Sequence, residues 1–342
     1  MHFVLVSAAN ANDLKLNKTF LYRAELRRKY VLSTYRAKDD VVITWFDVTS
    51  GVCQQEKMDK AGRRSKPTVL RRYKGVTRAS YQPFFDSWRF KDGQPDVMSI
   101  VDVYRFVEDQ SAKDPNTVYE LSFFAHAWEE GPVFVDSNDD RLYKNASGMV
   151  VVITDDSRDP DDKDARLKDF EAVNRDVVKF RTAFHPDGAV RNWGCLHTPR
   201  DVELLKRLVR HKDYKRTGMK DSQTLTLDVD KELEELLKGR RLTIKKGKLT
   251  ATFGELRSYI HGELTSCYTA KAAEGAGVKA YGAAPGTGSD IGTTGAAPQY
   301  IATSPSHNKQ ILEFHQEYLD VQFDAAWYAE FSPKTRPFTE RP

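Results

Sequence analysis

The sequence has few cysteines and no long hydrophobic run. Its 342 residues include only three cysteines, Cys53, Cys195 and Cys267, and no two of them form the Cys-X-X-Cys pair that is typical of zinc sites. Three scattered thiols are too few for a disulfide framework, so a cysteine with a function acts here as a single thiol. No apolar run approaches the roughly 20 residues that a membrane-spanning helix needs.

The N-terminus lacks the basic residues and the longer apolar segment of a secretory signal peptide. Residues 1–10 instead indicate a first strand, and we expect a protein that folds in the cytoplasm or is exported without a classical signal. Hydrophobic residues make up 40% of the chain and charged residues 30%, as in ordinary globular proteins. The net charge of +4 does not indicate nucleic-acid binding by the chain as a whole.

One local exception is the basic segment, residues 57–78. It contains nine lysines and arginines, and aromatic residues follow it at positions 81–90. Basic residues beside aromatic ones can bind single-stranded nucleic acid, and they can equally bind an acidic partner. The alternative interpretation is a solvated hairpin or sheet edge, where charged side chains are common.

Strand-like and helical patterns alternate through most of the chain. This alternation predicts an α/β fold with a mostly parallel central sheet flanked by helices, a three-layer sandwich. We predict one α/β domain over residues 1–295, with an insertion at about 200–252, and a C-terminal helical extension over residues 296–342. Further predicted helices run from Leu167 to Phe184, from Leu227 to Leu237 and from Phe253 to Ala273.

Residues with useful chemistry follow three of the predicted strands. His126 follows residues 118–124, Cys195 follows residues 189–193, and a Gly-rich loop at 285–290 follows residues 278–283. Ligands in parallel sheets gather at the carboxyl ends of the strands, so the three segments would form one site. An imidazole beside a thiol removes its proton and makes it a nucleophile towards an amide carbonyl.

The oxyanion of such a reaction needs backbone donors close to the thiol. The amides of Ala127 and Gly194 are the candidates, because one follows the histidine and the other precedes the cysteine. A glycine at position 194 also lets the chain turn sharply and lets a substrate approach.

The segments "ELSFFAHAW" and "VRNWGC" resemble the caspase-like cysteine peptidases, the clan of caspases, metacaspases and gingipains. In that clan the histidine follows one core strand and the cysteine follows the next. The resemblance implies a cysteine peptidase or amidase that acts on a peptide or amide substrate without a cofactor, with His126 as base and then acid and Cys195 as nucleophile. His126 is followed by Ala127, where the clan usually has glycine. Such a hydrolase would suit a bacterial effector or defence protein.

The substrate cleft is expected to be built from residues around these strand ends. His197 is also a rival base, since it lies two residues after the cysteine. The expected cleft residues are Trp128, Glu129, Trp193, His197, Gly286, Thr287, Ser289 and Asp290.

Other interpretations of these residues stay open. A histidine at a strand end and a cysteine are both common as buried structural residues. The segment "APGTGSD" is similar to an ATPase phosphate loop but lacks its lysine, which leaves a nucleotide- or sugar-processing α/β enzyme as an alternative.

An acidic run lies at residues 155–164. Its aspartates would hold calcium, or they would begin the helix that follows. The candidate calcium ligands are Asp159, Asp161, Asp162 and Asp164.

Overall fold

The computed structural model describes residues 1–10, 14–76, 97–128, 130–136, 142–144, 150–152, 164–172, 174–195, 199–238, 242–288 and 305–333. The protein has an α/β fold with a mostly parallel sheet of eight strands and helices on both of its faces. This architecture confirms the predicted three-layer sandwich.

The strands and helices follow one another along the chain, and the described residues also form four small sheets beside the central one. The first half contains β1 (His2–Ser7), β2 (Ala9–Asn10), α1 (Leu14–Thr34), β3 (Val41–Asp47), β4 (Val52–Met58), β5 (Thr68–Arg72), α2 (Ile100–Lys113), β6 (Val118–Phe124), β7 (His126–Trp128), β8 (Gly131–Val133), β9 (Val135–Asp136), β10 (Leu142–Lys144) and β11 (Val150–Val152). The second half contains a 3-10 helix (Leu167–Phe170), α3 (Val177–Ala183), β12 (Phe184–Asn192), α4 (Pro199–Arg210), β13 (Thr224–Asp228), α5 (Lys231–Leu236), β14 (Ile244–Lys245), β15 (Lys248–Thr252), α6 (Phe253–Ser266), α7 (Tyr268–Ala276), β16 (Lys279–Gly282), α8 (Pro305–Tyr318) and β17 (Ala329–Phe331).

The central sheet has the strand order β17-β16-β12-β6-β1-β3-β4-β5. The five strands from β16 to β3 in this order are parallel to one another, whereas β17, β4 and β5 are antiparallel to their neighbours. Strand β1 pairs with β3 on one side and with β6 on the other, so the chain changes direction across the sheet there. Ligands of open parallel sheets bind in the crevice beside such a point, at the carboxyl ends of the strands.

Helices cover both faces of the sheet, which explains why strands in its centre are buried on both sides. All six residues of β1 are buried, as expected of a strand that packs on both sides. Helix α2 packs on one face, and a Ser99–Asp102 capping box fixes its N-terminus. Its buried residues recur at helical spacing: Ile100, Val103, Tyr104 and Val107.

Helix α1 covers the opposite face. Its buried residues Phe20, Ala24 and Val31 pack on Phe3 and Leu5 of β1. Although α1 has 21 residues, none of the helices in the described ranges is long and apolar enough to cross a membrane.

A second hydrophobic core lies beside the sheet. It joins α4, α5 and the three-stranded sheet β13-β15-β14 to α6 and α8, and it contains the predicted insertion at about 200–252. The segment predicted as a C-terminal helical extension contributes α8 to this second core and β17 to the central sheet.

Three predicted helices differ from those in the structure. The helix from Leu167 to Phe184 is a 3-10 turn followed by α3, because Asp176 caps a new helix start by accepting a hydrogen bond from the Lys179 amide. The helix from Leu227 to Leu237 begins as strand β13, whose residues alternate between exposed and buried. The helix from Phe253 to Ala273 is interrupted at Cys267, which has an extended backbone conformation.

Candidate active site at the ends of β6 and β12

His126 lies just beyond the carboxyl end of β6. Strand β6 ends at Phe124, and β7 then starts at His126 and pairs with β8. The hairpin between them turns at Gly131, which has φ +129°, and a Cβ there would lie 2.5 Å from the ring of Tyr268, so only glycine fits. The His126 ring is half-buried and meets the Phe20 ring of α1 edge to face, with centroids 5.2 Å apart. The histidine is therefore held between the end of the sheet and α1.

Cys195 occupies the equivalent position after the neighbouring strand. The last ladder pair between β6 and β12 is Phe123 with Asn192, and His126 and Cys195 each lie three residues beyond it. The pairing continues for one further step, because the Trp193 amide donates to the Phe123 carbonyl at 3.0 Å. Neighbouring strands lie about 4.8 Å apart, so the two chain segments leave the sheet side by side.

Gly194 brings these two segments into direct contact. A Cβ at Gly194 would lie 2.5 Å from the Cβ of Ala127 and 3.0 Å from the carbonyl oxygen of Ala125. No side chain fits at such distances, so the glycine is required for this close approach. The Gly194 amide, one of the two expected oxyanion donors, donates to Oδ1 of Asn192 at 3.2 Å. It therefore already has an acceptor inside the protein.

Trp193 anchors the segment that carries Cys195. Its indole is 4% exposed and stacks on Phe124, with ring planes 9° apart. The indole Nε1 donates to Oγ of Ser122 at 3.1 Å, and the Tyr328 hydroxyl donates to the Trp193 carbonyl at 3.1 Å. Trp193 thus supports the site from the core, whereas the sequence predicted it in the wall of an open cleft.

A buried charged network lies beneath Trp193. Ser122 donates to the carboxylate of Glu120, which also accepts from Nε of Arg27 at 2.9 Å, and Arg191 lies 3.9 Å from the same carboxylate. Burial acts to raise the pKa of Glu120, but the attraction and hydrogen bond of Arg27 outweigh burial, so the pKa is lowered. This network was not predicted from the sequence. Its signal was Glu120 inside a mostly apolar strand, because a buried carboxylate needs a partner.

The three cysteines differ in exposure. Cys195 is partly exposed, whereas Cys53 and Cys267 are buried. Burial raises the pKa of Cys53 to about 12 and that of Cys267 to about 11, and Cys267 also donates to the Leu264 carbonyl. Since the thiolate is the reactive form, these two thiols are inert at neutral pH.

The start of the Gly-rich loop is packed tightly against α4. Gly286 has φ +76°, and a Cβ there would lie 2.7 Å from Cδ1 of Leu205. Thr287 is fully buried, and its hydroxyl donates to the Ala284 carbonyl at 2.6 Å. These contacts give Gly286 and Thr287 a structural role next to the helix that follows Cys195.

Asp164, one of the expected calcium ligands, is buried beside β8 and β9. Its Oδ1 accepts hydrogen bonds from the amides of Phe134 and Val135, so this oxygen positions the backbone. Within the described ranges, no group of three or more His, Cys, Asp or Glu side chains is arranged to hold a metal ion.

Several of the expected site residues fall outside the described part of the chain. For Trp128 the structure gives the backbone of β7. The residues that lie outside the described ranges are Glu129, His197, Ser289 and Asp290 of the cleft and Asp159, Asp161 and Asp162 of the acidic run.

Comparisons of the chain with protein-family models, with curated proteins and with solved structures gave no significant match.

Proposed function

We propose that the protein is a cysteine-dependent hydrolase that cleaves an amide bond, with Cys195 as nucleophile and His126 as general base and acid. The observation that carries this proposal is the contact of Gly194 with Ala125 and Ala127. This contact places the segment that carries the partly exposed Cys195 directly against the segment that carries His126.

The reaction follows from the chemistry of a thiol beside an imidazole. His126 takes the proton of the Cys195 thiol, and the thiolate attacks the amide carbon to form a tetrahedral oxyanion. The carbon–nitrogen bond then breaks, and His126 donates the proton to the leaving amine. Water attacks the resulting thioester with His126 again as base, which releases the acid and restores the thiol.

The oxyanion needs at least one backbone donor on the β7 side of the site. The Gly194 amide is bonded to Asn192, so Ala127 is the donor that we propose. Ala127 lies at the contact itself, with its amide nitrogen 3.0 Å from the position of a Cβ on Gly194. A backbone donor within hydrogen-bond distance of a developing oxyanion is worth about 3 kcal/mol in transition-state stabilisation.

A caspase-like peptidase is the more specific form of this proposal. It is supported by the placement of His126 and Cys195 after adjacent parallel strands, with the histidine first in the chain. The strand order supports the same proposal, because β6 and β12 lie inside the sheet, with β1 and β3 on one side of them and β16 on the other.

Thiol labelling tests the proposed pair directly. The native protein is treated with iodoacetamide near neutral pH, and labelling of each cysteine is followed by mass spectrometry. We expect Cys195 to react much faster than Cys53 and Cys267, which serve as internal controls because both are buried. The reaction of Cys195 is expected to slow in His126→Ala, because the imidazole no longer promotes thiolate formation.

A screen of a peptide library then tests hydrolysis. Cys195→Ala is expected to abolish cleavage, whereas Cys267→Ala retains it. Cleavage that persists in Cys195→Ala, or equal labelling of Cys195 with and without His126, would exclude the proposed pair.

A further inference from the structure

Strand β5 forms one edge of the central sheet, far from the candidate active site in the strand order. Its inner side pairs with β4, and no strand in the described part of the chain pairs with its outer side. All five of its residues are exposed. Two of them are apolar: Val69 is 42% exposed and Leu70 is 46% exposed. An edge of this kind presents unpaired backbone amides and carbonyls to any extended chain.

The side chains around this edge are strongly basic. Lys57, Lys66, Arg71 and Arg72 are all exposed. Lys66 and Arg72 form no ion pair with any described residue, and Arg71 lies 3.9 Å from a carboxylate oxygen of Asp102. The described carboxylates therefore leave the positive charge of Lys66 and Arg72 unneutralised.

A shallow groove opens on the α1 face beside β5. It is lined by Arg28, Ile43, Trp45, Gln54, Glu56 and Pro67. Gln54 pairs with Val69 of β5, and Pro67 precedes the strand. The groove thus lies next to the edge, on the face of the sheet that a bound strand would continue.

We propose that β5 is a docking edge for an extended acidic segment of a partner protein, which adds to the sheet as a further strand. The backbone of the segment bonds to the outer side of β5, its apolar side chains pack against Val69, and its carboxylates meet Lys66 and Arg72. The pairing of β5 with β4 shifts register at Leu70, which has no partner in β4. Strand addition of this kind draws affinity from main-chain hydrogen bonds and selectivity from alternate side chains.

The same residues argue against a second copy of the chain as the occupant. Pairing of two β5 strands would gather the basic side chains of both copies at one interface, and like charges across a strand pair are destabilising. A surface for single-stranded nucleic acid needs open aromatic faces. Of the aromatic residues in and after the basic segment, the structure describes Tyr73, which is half-buried and whose ring is covered by the Arg71 guanidinium at 4.7 Å. The aromatic residues at positions 81–90 lie outside the described ranges.

The test measures binding of a blocked seven-residue peptide of alternating glutamate and valine to the full chain. Fluorescence anisotropy gives the Kd, and hydrogen exchange locates the protected amides. We expect protection at residues 68–72 and a Kd that rises about tenfold or more in a Lys66→Glu/Arg72→Glu variant. Binding is also expected to weaken as salt rises from about 0.05 M to about 0.5 M, since screening reduces charge attraction.

Three controls make the outcome decisive. Lys231→Glu/Lys245→Glu carries the same change in net charge at exposed positions away from β5 and is expected to bind like the native chain. A peptide of alternating lysine and valine is expected not to bind. Oligothymidylate is expected not to displace the acidic peptide. Absence of binding, equal binding by both variants, protection outside residues 68–72, or displacement by oligothymidylate would each overturn the proposal.

Discussion

A hydrogen bond of 3.1 Å joins the indole Nε1 of Trp193 to Oγ of Ser122. Because Ser122 also donates to Glu120, the bond ties the chain two residues before Cys195 to a buried charge pair. The position of the thiol thus depends on polar contacts inside the sheet as well as on the strand ladder.

Removal of this bond is expected to destabilise the protein. Ser122→Ala leaves the buried indole N–H without its acceptor, which costs about 1–3 kcal/mol. The free energy of unfolding in urea measures the loss. Ser33→Ala is the control, since the Ser33 hydroxyl bonds to a carbonyl at an exposed site, and an equal loss in both variants would contradict the prediction.

Gly194→Ala is expected to disrupt the candidate site while the protein remains folded. The added methyl would lie 2.5 Å from the Cβ of Ala127, so the segments of Cys195 and His126 must separate. Labelling of Cys195 by iodoacetamide should then lose its dependence on His126. Gly262→Ala is the matched control, because a Cβ there meets no atom within 4 Å.

A second substitution tests whether the clash with Ala127 is the cause. In Gly194→Ala/Ala127→Gly the closest contact is removed, and the His126-dependent labelling should return in part. A double variant no better than Gly194→Ala would assign the effect to another contact.

Glu120 is expected to make stability fall in acid. Its pKa in the folded protein is lower than the ordinary value of 4.5, so the unfolded chain binds its proton first and stability increases with pH in this range. The contribution is complete above pH 4.5 and is lost as pH falls through the lower folded value. Glu120→Gln should flatten this part of the pH profile of the unfolding free energy, at a cost of about 3–5 kcal/mol from the unpaired Arg27.

His315 is expected to make stability depend on pH in a higher range than Glu120 does. Burial lowers its pKa to about 4 from 6.5, so the unfolded chain binds the proton first as pH falls. Its stabilising contribution is complete above pH 6.5 and decreases towards pH 4. His315→Gln should make the unfolding free energy less steep between these values. The exposed substitution Lys309→Gln in the same helix is the control and should leave the slope unchanged.

The sequence predicted the parts of the fold that depend on local pattern. The strands that end before His126, Cys195 and the Gly-rich loop are β6, β12 and β16 of the parallel sheet, because short runs of apolar residues bounded by turn residues are distinctive. Strand β17 was missed, since its three residues pair with β16 from a distant part of the chain. The contact of Gly194 with Ala127 was equally beyond prediction, because it depends on the register between two strands.

The sequence pattern also misplaced one side chain. Trp193 follows a strand and precedes the cysteine, which suggested a cleft residue, yet its indole faces the α1 side of the sheet and is buried there. Its burial depends on α1, which is far from Trp193 along the chain.

Helix α8 belongs to two cores at once. Ile311 and Phe314 lie in the second core, whereas Leu312 packs in the core under α1, and His315 bonds to the Pro285 carbonyl at 2.9 Å after β16. If one of the two cores unfolds, α8 loses its place, and the other core then loses the α8 side chains that pack in it. The central sheet and the inserted region should therefore lose their structure in a single cooperative transition, and a chain truncated before residue 305 should not retain either one at full stability.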